Sequence, residues 1–267
     1  MDVIIFSGQS NMQGQSECLS ECAVVENAYE YKWLSDTLVP LKNPVGENIT
    51  YGMSEGEAVT PETHIPTWLK SHVAGAACYG HTNLVPEFCR TYTKLTGRKV
   101  LAVHAAKGST TIAQWLPGTP GYAFLSKKAR NGVQKVHPER IFFVWLQGES
   151  DAVAGVRKQD YKAALRILCD ALKADVGISL FGIIRVGRFT GDDRDAEIIA
   201  AQDEICRENH DFWMLTDIAT VLNTQSEAMH PHIKGHYSAK GLELLGREAA
   251  RNLCRSDGNV LDGSITP

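Results

Sequence analysis

A serine stands between polar residues shortly after the first apolar run of the chain. Residues 3–6 are Val-Ile-Ile-Phe, and Gly8, Gln9, Ser10 and Asn11 follow. A serine hydroxyl at a tight turn between a strand and a helix can attack a carbonyl carbon. Gly8 would permit the sharp turn, and the amide nitrogen of Ser10 or Asn11 would face a developing oxyanion. The alternative is that Ser10 only caps the next helix, which is the commoner role of a lone serine after a strand.

A group of histidines near the C-terminus supplies candidate bases for such a serine. His230, His232 and His236 fall within seven residues, although the chain has only nine histidines. A histidine has the right pKa to take a proton from a serine hydroxyl and return it to a leaving alcohol. Metal binding is the alternative, but no cysteine lies nearby, so we predict no metal site and no cofactor.

Two further turns place hydrogen-bonding groups after apolar runs. Gly108 lies in a turn of small residues after the second run, where a backbone N–H can approach a ligand closely. Gln147, Glu149 and Asp151 directly follow the third run, and polar side chains are expensive to bury unsatisfied. We interpret both turns as parts of a site, with Gln147 donating a hydrogen bond above the strand ends. The alternatives are an ordinary turn glycine and simple helix capping by Glu149 or Asp151.

The elements that would position these residues alternate between strands and helices. Short runs rich in β-branched and aromatic residues predict five buried strands, at residues 3–6, 100–104, 141–146, 180–185 and 212–216. Helical periodicity is clearest at residues 83–95, 122–136, 158–174, 195–209 and 238–253. Parallel strands need helical crossovers, so we predict a doubly wound, three-layer α/β/α sandwich with a mainly parallel five-stranded sheet. Its ligand would lie beyond the carboxyl ends of the strands, where the candidate residues fall.

Residues 17–79 break this alternation. They hold scattered glycines and prolines and show little periodicity. We predict one domain over residues 1–267, in which this segment is an irregular excursion over the sheet.

Composition and charge disfavour several other classes of protein. The 267 residues are 43% hydrophobic and include 27 basic and 31 acidic residues, which gives a formal net charge of −4. This balance is typical of a globular protein and offers no general attraction to nucleic acid or an anionic membrane. No dinucleotide fingerprint or phosphate-binding loop follows the first run, which disfavours a nucleotide-binding protein.

Cysteine usage and the N-terminus predict a reducing compartment. The seven cysteines are odd in number and scattered, so we expect no disulfide framework. Cys18 and Cys22 have no second Cys or His pair at finger-like spacing, so we expect thiols rather than zinc ligands. The first residues match neither a signal peptide nor a membrane span, so we predict a cytoplasmic protein, either monomeric or homo-oligomeric.

Four separated segments between Ile4 and Gly246 carry the motifs of one family. They are Gly8-Gln9-Ser10-Asn11-Met12, Lys107-Gly108-Ser109-Thr110 with Trp115, Trp145-Leu146-Gln147-Gly148-Glu149-Ser150-Asp151-Ala152, and His236-Tyr237-Ser238-Ala239-Lys240-Gly241 with Leu245-Gly246. Together they resemble the SGNH hydrolase superfamily, and within it the sialate O-acetylesterase-like group, carbohydrate esterase family 6, which is related to acetylxylan esterases. The resemblance implies a flavodoxin-like SGNH fold and a serine esterase that acts on O-acetyl esters of carbohydrates.

The same resemblance implies a role for each site residue. Ser10 is the nucleophile and His236 is its general base. The oxyanion hole consists of the Ser10 amide, the Gly108 amide and the Gln147 side chain. The residues assigned to substrate binding are Gln9, Asn11, Glu149 and Arg185. The acetyl group passes first to the serine and then to water.

The substrate implied is a small-molecule or oligosaccharide acetyl ester of sialic acid, of a xylan-type sugar or of another sugar. Side chains that can stack on a sugar ring, or else pack within the protein, are Tyr51, Trp68, Tyr79 and His81. Arg185 and Arg188 are candidates to pair with a substrate carboxylate, or with acidic residues of the protein.

One position departs from the family pattern. The family commonly has an aspartate three residues before the histidine, to hold its tautomer and stabilise the imidazolium, and here that residue is Ile233. His236 would then work in a Ser–His dyad, oriented by a backbone carbonyl or a remote carboxylate. A second interpretation pairs Glu227 with His230, because Glu-x-x-His-Pro also resembles the histidine block of the wider superfamily. We prefer His236 for its spacing to Gly241, and the rival function is a carbohydrate-binding protein without turnover.

Overall fold

The computed structural model describes residues 1–16, 22–33, 35–46 and 82–256. Its strands are β1 Asp2–Gly8, β2 Ala28–Lys32, β3 Thr37–Pro40, β4 Val100–Ala106, β5 Ile141–Leu146, β6 Leu180–Ile184 and β7 Phe212–Thr216. They form one sheet in the order β3-β2-β4-β1-β5-β6-β7. Each neighbouring pair is parallel except β2 with β3, and the predicted mainly parallel sheet is therefore confirmed.

Helices cover both faces of this sheet. The described ranges contain α1 Ser10–Gln13, α2 Val85–Thr96, α3 Pro120–Val136, α4 Glu149–Ala154, α5 Lys158–Val176, α6 Arg194–Glu208, α7 Ala219–Leu222 and α8 Ala239–Ser256. Helices α2 and α8 pack together in one layer, while α3, α5 and α6 form the other. This is the predicted three-layer α/β/α arrangement. None of the helices in these ranges is long and apolar enough to cross a membrane.

The prediction of five strands is wrong by two, because β2 and β3 lie inside the predicted excursion at residues 17–79. Strand β2 carries Glu30 and Lys32, whose charges hid it from a search for apolar runs. Glu30 is nevertheless buried, since it accepts a hydrogen bond from the Gly46 amide at 2.7 Å and pairs with Lys32 at 2.9 Å. Strand β3 is a mostly exposed antiparallel edge strand, which no burial pattern reveals.

The central strands bring three turns to one edge of the sheet. Strand β1 lies between β4 and β5, and every residue of β1 and β4 is buried. In this register Gly8 stands opposite both Ala106 and Leu146. Because the three strands end at the same level, the residues that follow them leave the sheet side by side.

The amino ends of the strands carry a cluster of paired charges. Asp2 is fully buried and accepts hydrogen bonds from Arg98 Nε at 2.7 Å, from Arg140 at 2.7 Å and from the Tyr92 hydroxyl at 2.6 Å. Burial by itself would raise the pKa of Asp2, but these donors outweigh it and lower the pKa to about 2. The cluster ties β1 to the start of β4 and β5.

Several predictions concern residues outside the described ranges. Tyr51, Trp68, Tyr79, His81 and Cys18 are all in this position. Among the described cysteines, those that are free thiols are Cys22, Cys89, Cys169, Cys206 and Cys254.

Candidate active site

The turn between β1 and α1 presents Ser10 at the carboxyl edge of the sheet. Gly8 has φ +147°, and a Cβ there would lie 1.9 Å from the Leu146 carbonyl oxygen, so only glycine fits. Gln9 N–H donates to that same carbonyl at 3.1 Å, which ties the turn to the end of β5. Ser10 begins α1, and the first N–H groups of a helix have no acceptor within the helix. The Ser10 amide is therefore suited to receive an oxyanion.

Gly108 lies against this turn. The Lys107 N–H donates to the Gly8 carbonyl at 3.0 Å, which seats the turn after β4 beside that after β1. A Cβ on Gly108 would lie 3.4 Å from Ser10 Cβ and 2.5 Å from Gln15 Nε2, so a side chain would collide with Gln15. The Gly108 N–H donates to Gln13 Oε1 at 2.8 Å, on the same helical turn as Ser10. The structure thus brings Gly108 close to Ser10, as predicted from the sequence.

Asn11 joins the histidine segment to the turn that carries Ser10. Its Nδ2 donates to the Gly235 carbonyl at 3.3 Å, and its Oδ1 accepts from the Tyr237 N–H at 3.3 Å. These two partners flank His236, so the residue after Ser10 is bonded on both sides of the predicted base. Gly235 has φ +76°, and a Cβ there would lie 2.1 Å from the ring of Phe189, so the segment requires glycine at this point.

His236 is held in a definite tautomer. Its Nδ1 lies 3.0 Å from the Lys234 carbonyl oxygen, which can only accept, so Nδ1 carries the proton. Nε2 then has a lone pair, and it is buried with no hydrogen-bond partner among the residues that the structure describes. Burial lowers the pKa of His236, and nearby His230 adds to this, although the Lys234 carbonyl opposes it. A neutral imidazole with a free Nε2 is the form that a general base needs.

His230 occupies a different position from the one that a Glu227–His230 pair requires. Its Nδ1 accepts the N–H groups of His232 at 3.1 Å and Ile233 at 3.0 Å, which places the proton on Nε2. The Glu227 carboxylate is 56% exposed and lies 3.7 Å from Lys240 Nζ. These contacts favour His236 as the base and give His230 the task of shaping the turn that carries it.

The Gln147 side chain is fully buried, and its hydrogen bonds run to other residues of the protein. Its Nε2 donates to the Thr110 carbonyl at 2.8 Å, to Gln9 Oε1 at 3.2 Å and, by a short bond, to Asp151. Its Oε1 accepts from the Tyr161 hydroxyl at 2.9 Å. Both N–H groups of Gln147 are engaged within the protein, and one acceptor is a carboxyl group. Gln147 is therefore less available to an oxyanion than the Gly108 N–H, whose acceptor is a neutral amide oxygen.

Two buried carboxyl groups belong to the same hydrogen-bonded cluster. Asp151 accepts the Ile112 N–H at 2.9 Å, and burial raises its pKa to about 6 despite the donated hydrogen bonds. Glu149 accepts from Asn11 Nδ2 at 2.8 Å, and burial raises its pKa as well. Neither has a basic side chain within ion-pair distance in the described ranges.

The four residues predicted to bind substrate are placed differently from one another. Gln9, Asn11 and Glu149 are each only 3% exposed and are bonded to the protein around Ser10. Arg185 is not brought to this cluster, because its Nη1 lies 3.0 Å from each carboxylate oxygen of Asp203 on α6. Arg188 is exposed at the start of the turn that carries Phe189.

Sequence reasoning missed two contributors. Gln13 binds the Gly108 amide, and its spacing of three residues from Ser10 on a helix was a usable signal. Phe189 lies with its ring 6.3 Å from the ring of His236, and Asp195 holds its backbone N–H at 3.0 Å. An aromatic residue after a strand at the carboxyl edge was the available signal for the second. In the described ranges, no three His, Cys, Asp or Glu residues are grouped to hold a metal ion.

One protein-family model matches most of the chain. A family model described as "Carbohydrate esterase, sialic acid-specific acetylesterase" matches residues 1–255. No curated protein matches the chain.

Solved structures share the fold at low sequence identity. A protein from Arabidopsis thaliana superposes with a TM-score of 0.70 at 16% identity, over 94% of this chain and 97% of that one. NanS superposes with a TM-score of 0.66 at 13% identity, over 96% of this chain and 97% of its own. XAC1771, a carbohydrate acetylesterase from Xanthomonas citri, superposes with a TM-score of 0.52 at 16% identity, over 94% of this chain and 56% of its own.

Proposed function

The chain belongs to the carbohydrate esterase family of sialic acid-specific acetylesterases, and from this premise we propose that it hydrolyses sugar O-acetyl esters through an acetyl-enzyme on Ser10. Membership makes the protein a carboxylic ester hydrolase. The choice of Ser10 and His236 as nucleophile and base rests on one observation. Asn11, next to Ser10, is hydrogen-bonded to the residues on both sides of His236.

The first half of the reaction acylates the serine. Ser10 Oγ attacks the acetyl carbonyl carbon, its proton passes to His236 Nε2, and the carbonyl π electrons move onto the oxygen. The tetrahedral intermediate collapses by releasing the sugar oxygen, which takes the proton from Nε2. The acetyl group is then esterified to Ser10.

The second half returns the enzyme to its starting state. Water attacks the acetyl carbon and gives a proton to His236 Nε2, and the new intermediate expels Ser10 Oγ, which recovers that proton. Acetate leaves. His236 thus acts in turn as base and acid, which its neutral, Nδ1-protonated form allows.

A backbone carbonyl takes the place of the usual aspartate in this scheme. The Lys234 oxygen fixes the His236 tautomer as an aspartate would, and its partial negative charge stabilises the imidazolium less strongly than a full charge. The sequence left two interpretations open for the absence of an aspartate at position 233, a Ser–His dyad or a Glu227–His230 pair. This geometry supports the dyad, with a backbone carbonyl that orients His236.

Two backbone amides would stabilise the oxyanion, those of Ser10 and Gly108. In the free protein the Gly108 N–H donates to Gln13 Oε1. A charged oxyanion is a stronger acceptor than a neutral amide oxygen, roughly by a factor of two, so it would draw this N–H toward itself. The gain in hydrogen-bond strength then arises in the transition state, where it accelerates the reaction.

We propose O-acetylated sialic acid as the preferred substrate, with acetylated neutral sugars as weaker ones. The family description supports an acidic sugar. Arg185 is already paired with Asp203. Arg188, which is exposed, is therefore the remaining candidate to bind a substrate carboxylate. In an acetate-release assay, Arg188→Ala should raise KM for acetylated sialic acid and leave KM for an acetylated xylo-oligosaccharide unchanged. Equal effects on both substrates would contradict this preference.

The test of the function itself is covalent labelling. A serine-directed phosphonate should label the wild-type protein at Ser10 and stop acetate release, and Ser10→Ala should be neither labelled nor active. The alternative of a carbohydrate-binding protein without turnover predicts sugar binding with no labelling and no acetate, and that result would overturn the proposal.

A further inference from the structure

The nucleophile turn carries a carboxamide at every second position. Gln9, Asn11 and Gln13 surround Ser10 and are 3%, 3% and 2% exposed. A buried amide that lacks hydrogen-bond partners destabilises the folded protein. Three of them beside one serine therefore call for a structural reason, and their hydrogen bonds supply it, although Gln13 Nε2 has no partner among the described residues.

Gln9 holds the turn after β5. Its Oε1 accepts from Gln147 Nε2 at 3.2 Å and from the Ser150 N–H at 3.1 Å. It thereby satisfies an amide at the start of α4, which would otherwise lack an acceptor. This network of hydrogen bonds also includes Asp151, which accepts from the same Gln147 nitrogen.

Asn11 holds the histidine segment. It uses both ends of its amide on Gly235 and Tyr237, and its Nδ2 is shared with Glu149 Oε1 at 2.8 Å. Glu149 fixes the amide's orientation, because only the nitrogen can donate to a carboxylate. Glu149 thus acts on His236 at one remove, through Asn11.

Gln13 holds the turn after β4. Its Oε1 accepts from the Gly108 N–H at 2.8 Å. This contact sets the distance between the Gly108 amide and Ser10. Ser109, the next residue, has φ +61°, a conformation that needs such outside support in a non-glycine residue.

From these contacts we infer that Gln9, Asn11 and Gln13 are positioning residues, each holding a different loop of the active site in register with Ser10. The loops are residues 147–150, 235–237 and 107–109. The sequence assigned Gln9, Asn11 and Glu149 to the substrate instead. The inference rests on the proposed function only in its consequences for turnover, since the contacts exist without substrate.

Hydrogen–deuterium exchange can measure each loop separately. Gln9→Leu and Gln13→Leu should each raise exchange in their own loop and leave the other two near wild type, whereas Asn11→Leu should raise exchange in residues 235–237 and, because Glu149 loses its donor, to a lesser extent in residues 147–150. Gln9→Glu and Gln13→Glu keep an oxygen that accepts the same N–H, so their loops should stay protected. Gln134→Leu, at an exposed position of α3, is the baseline control. Even loosening of all three loops, or of none, would overturn the inference.

The Asn11–Glu149 pair allows a rescue experiment. Asn11→Asp places two carboxylates together and should loosen residues 235–237, because the donor to Glu149 is lost. In the double variant Asn11→Asp/Glu149→Gln the amide and the carboxylate exchange places, so protection of the Tyr237 N–H should return, although neither variant has a donor for the Gly235 carbonyl. If the double variant is looser than Asn11→Asp alone, Glu149 does not act through Asn11.

Kinetics on the same variants separate a positioning role from general loosening. A displacement of about 1 Å can lower turnover about 10²-fold, so kcat should fall while KM changes little. Asn11→Leu should also move the pKa seen in the pH profile upward toward that of an ordinary histidine, because water reaches His236. Gln13→Leu should lower kcat with no change in that pKa. The same pKa shift in both variants would contradict separate roles.

The outcomes for the two proposals are distinct. A wild-type protein without acetate release but with loop-specific exchange would refute the proposed function and keep the positioning roles. An active wild type in which the leucine variants alter no loop would do the reverse.

Discussion

Buried carboxyl groups at the two ends of the sheet have pKa values shifted in opposite directions. At the amino end, Asp2 is surrounded by Arg98, Arg140 and Tyr92, which hold its pKa at about 2 although burial opposes them. At the carboxyl end, Glu149 and Asp151 receive hydrogen bonds from amides only, and burial raises the pKa of both. The amino end is arranged for stability. At the carboxyl end, the burial of carboxyl groups without basic partners lowers stability, while their hydrogen bonds hold the loops of the candidate site. Functional sites often combine these two features.

The largest expected effect lies at the carboxyl end and concerns activity. His236→Ala should lower kcat by about 10⁴-fold or more, since removing the base of a serine hydrolase disables the nucleophile as well. His230→Ala is the matched control and should keep most of the turnover, because its Nδ1 only shapes the turn. Acetate release from an activated acetate ester measures both. An inactive His230→Ala beside a normal His236→Ala would reverse the assignment.

The next effect lies at the amino end and concerns stability. Asp2→Asn should lower the free energy of unfolding by about 2–3 kcal/mol, below the usual range for a broken buried ion pair because both arginines reach solvent. Glu139→Gln, at the exposed edge of the same cluster, should leave the free energy of unfolding nearly unchanged. Urea titration gives both values. Turnover should be unchanged in either variant, and a loss of kcat in Asp2→Asn would blur the contrast between the two ends.

The pH dependence of stability should have opposite signs at the two ends. Asp2 has a lowered pKa, so its contribution is present above pH 4 and is lost as pH falls toward 2. Asp151 has a raised pKa, so its contribution is present below pH 4 and is lost as pH rises through about 6.

Urea titration between pH 4 and pH 7 isolates the second effect. Asp151→Asn removes the ionisable group. Between pH 4 and pH 7 the free energy of unfolding of this variant should therefore fall less than that of wild type, with a difference on the order of 2 kcal/mol. Identical pH profiles for the two proteins would show that Asp151 does not titrate in this window.

The smallest effect concerns backbone strain beside Gly108. Ser109 has φ +61°, and glycine adopts this region without the steric cost of a Cβ. Ser109→Gly should therefore raise the free energy of unfolding by about 0.5 kcal/mol, since relief of strain exceeds the entropy that glycine gains in the unfolded chain. Thermal unfolding measures it. Destabilisation by Ser109→Gly would mean that the serine side chain, and not the backbone, matters here.

The sequence predicted the alternating buried strands and amphipathic helices of this fold. Buried strands with continuous apolar residues and helices with a 3.6-residue period were found where expected, because burial on both faces leaves a plain pattern. It missed β2, where Glu30 is buried by virtue of partners at Lys32 and Gly46. The Gly46 amide is a backbone group 16 residues further along the chain, and a pattern of residue types cannot report such a partner.

The candidate site divides in the same way. Ser10, Gly108 and His236 were selected by residue type and by their place after strands or in a motif. The roles of Gln9, Asn11 and Glu149 were assigned to substrate, whereas their hydrogen bonds run to the protein. A carboxamide has the same donors and acceptors for either partner, so its type alone does not distinguish the two.

The sequence by itself determined the layered α/β fold, the family and the candidate reacting groups, because these depend on local periodicity and on short motifs. Only the tertiary structure decided how those groups are oriented. It supplied the Lys234 carbonyl in place of the aspartate absent at position 233, and it paired Arg185 with Asp203. The physical reason is that a backbone carbonyl is present at every residue, and only the path of the chain decides which one meets a histidine nitrogen.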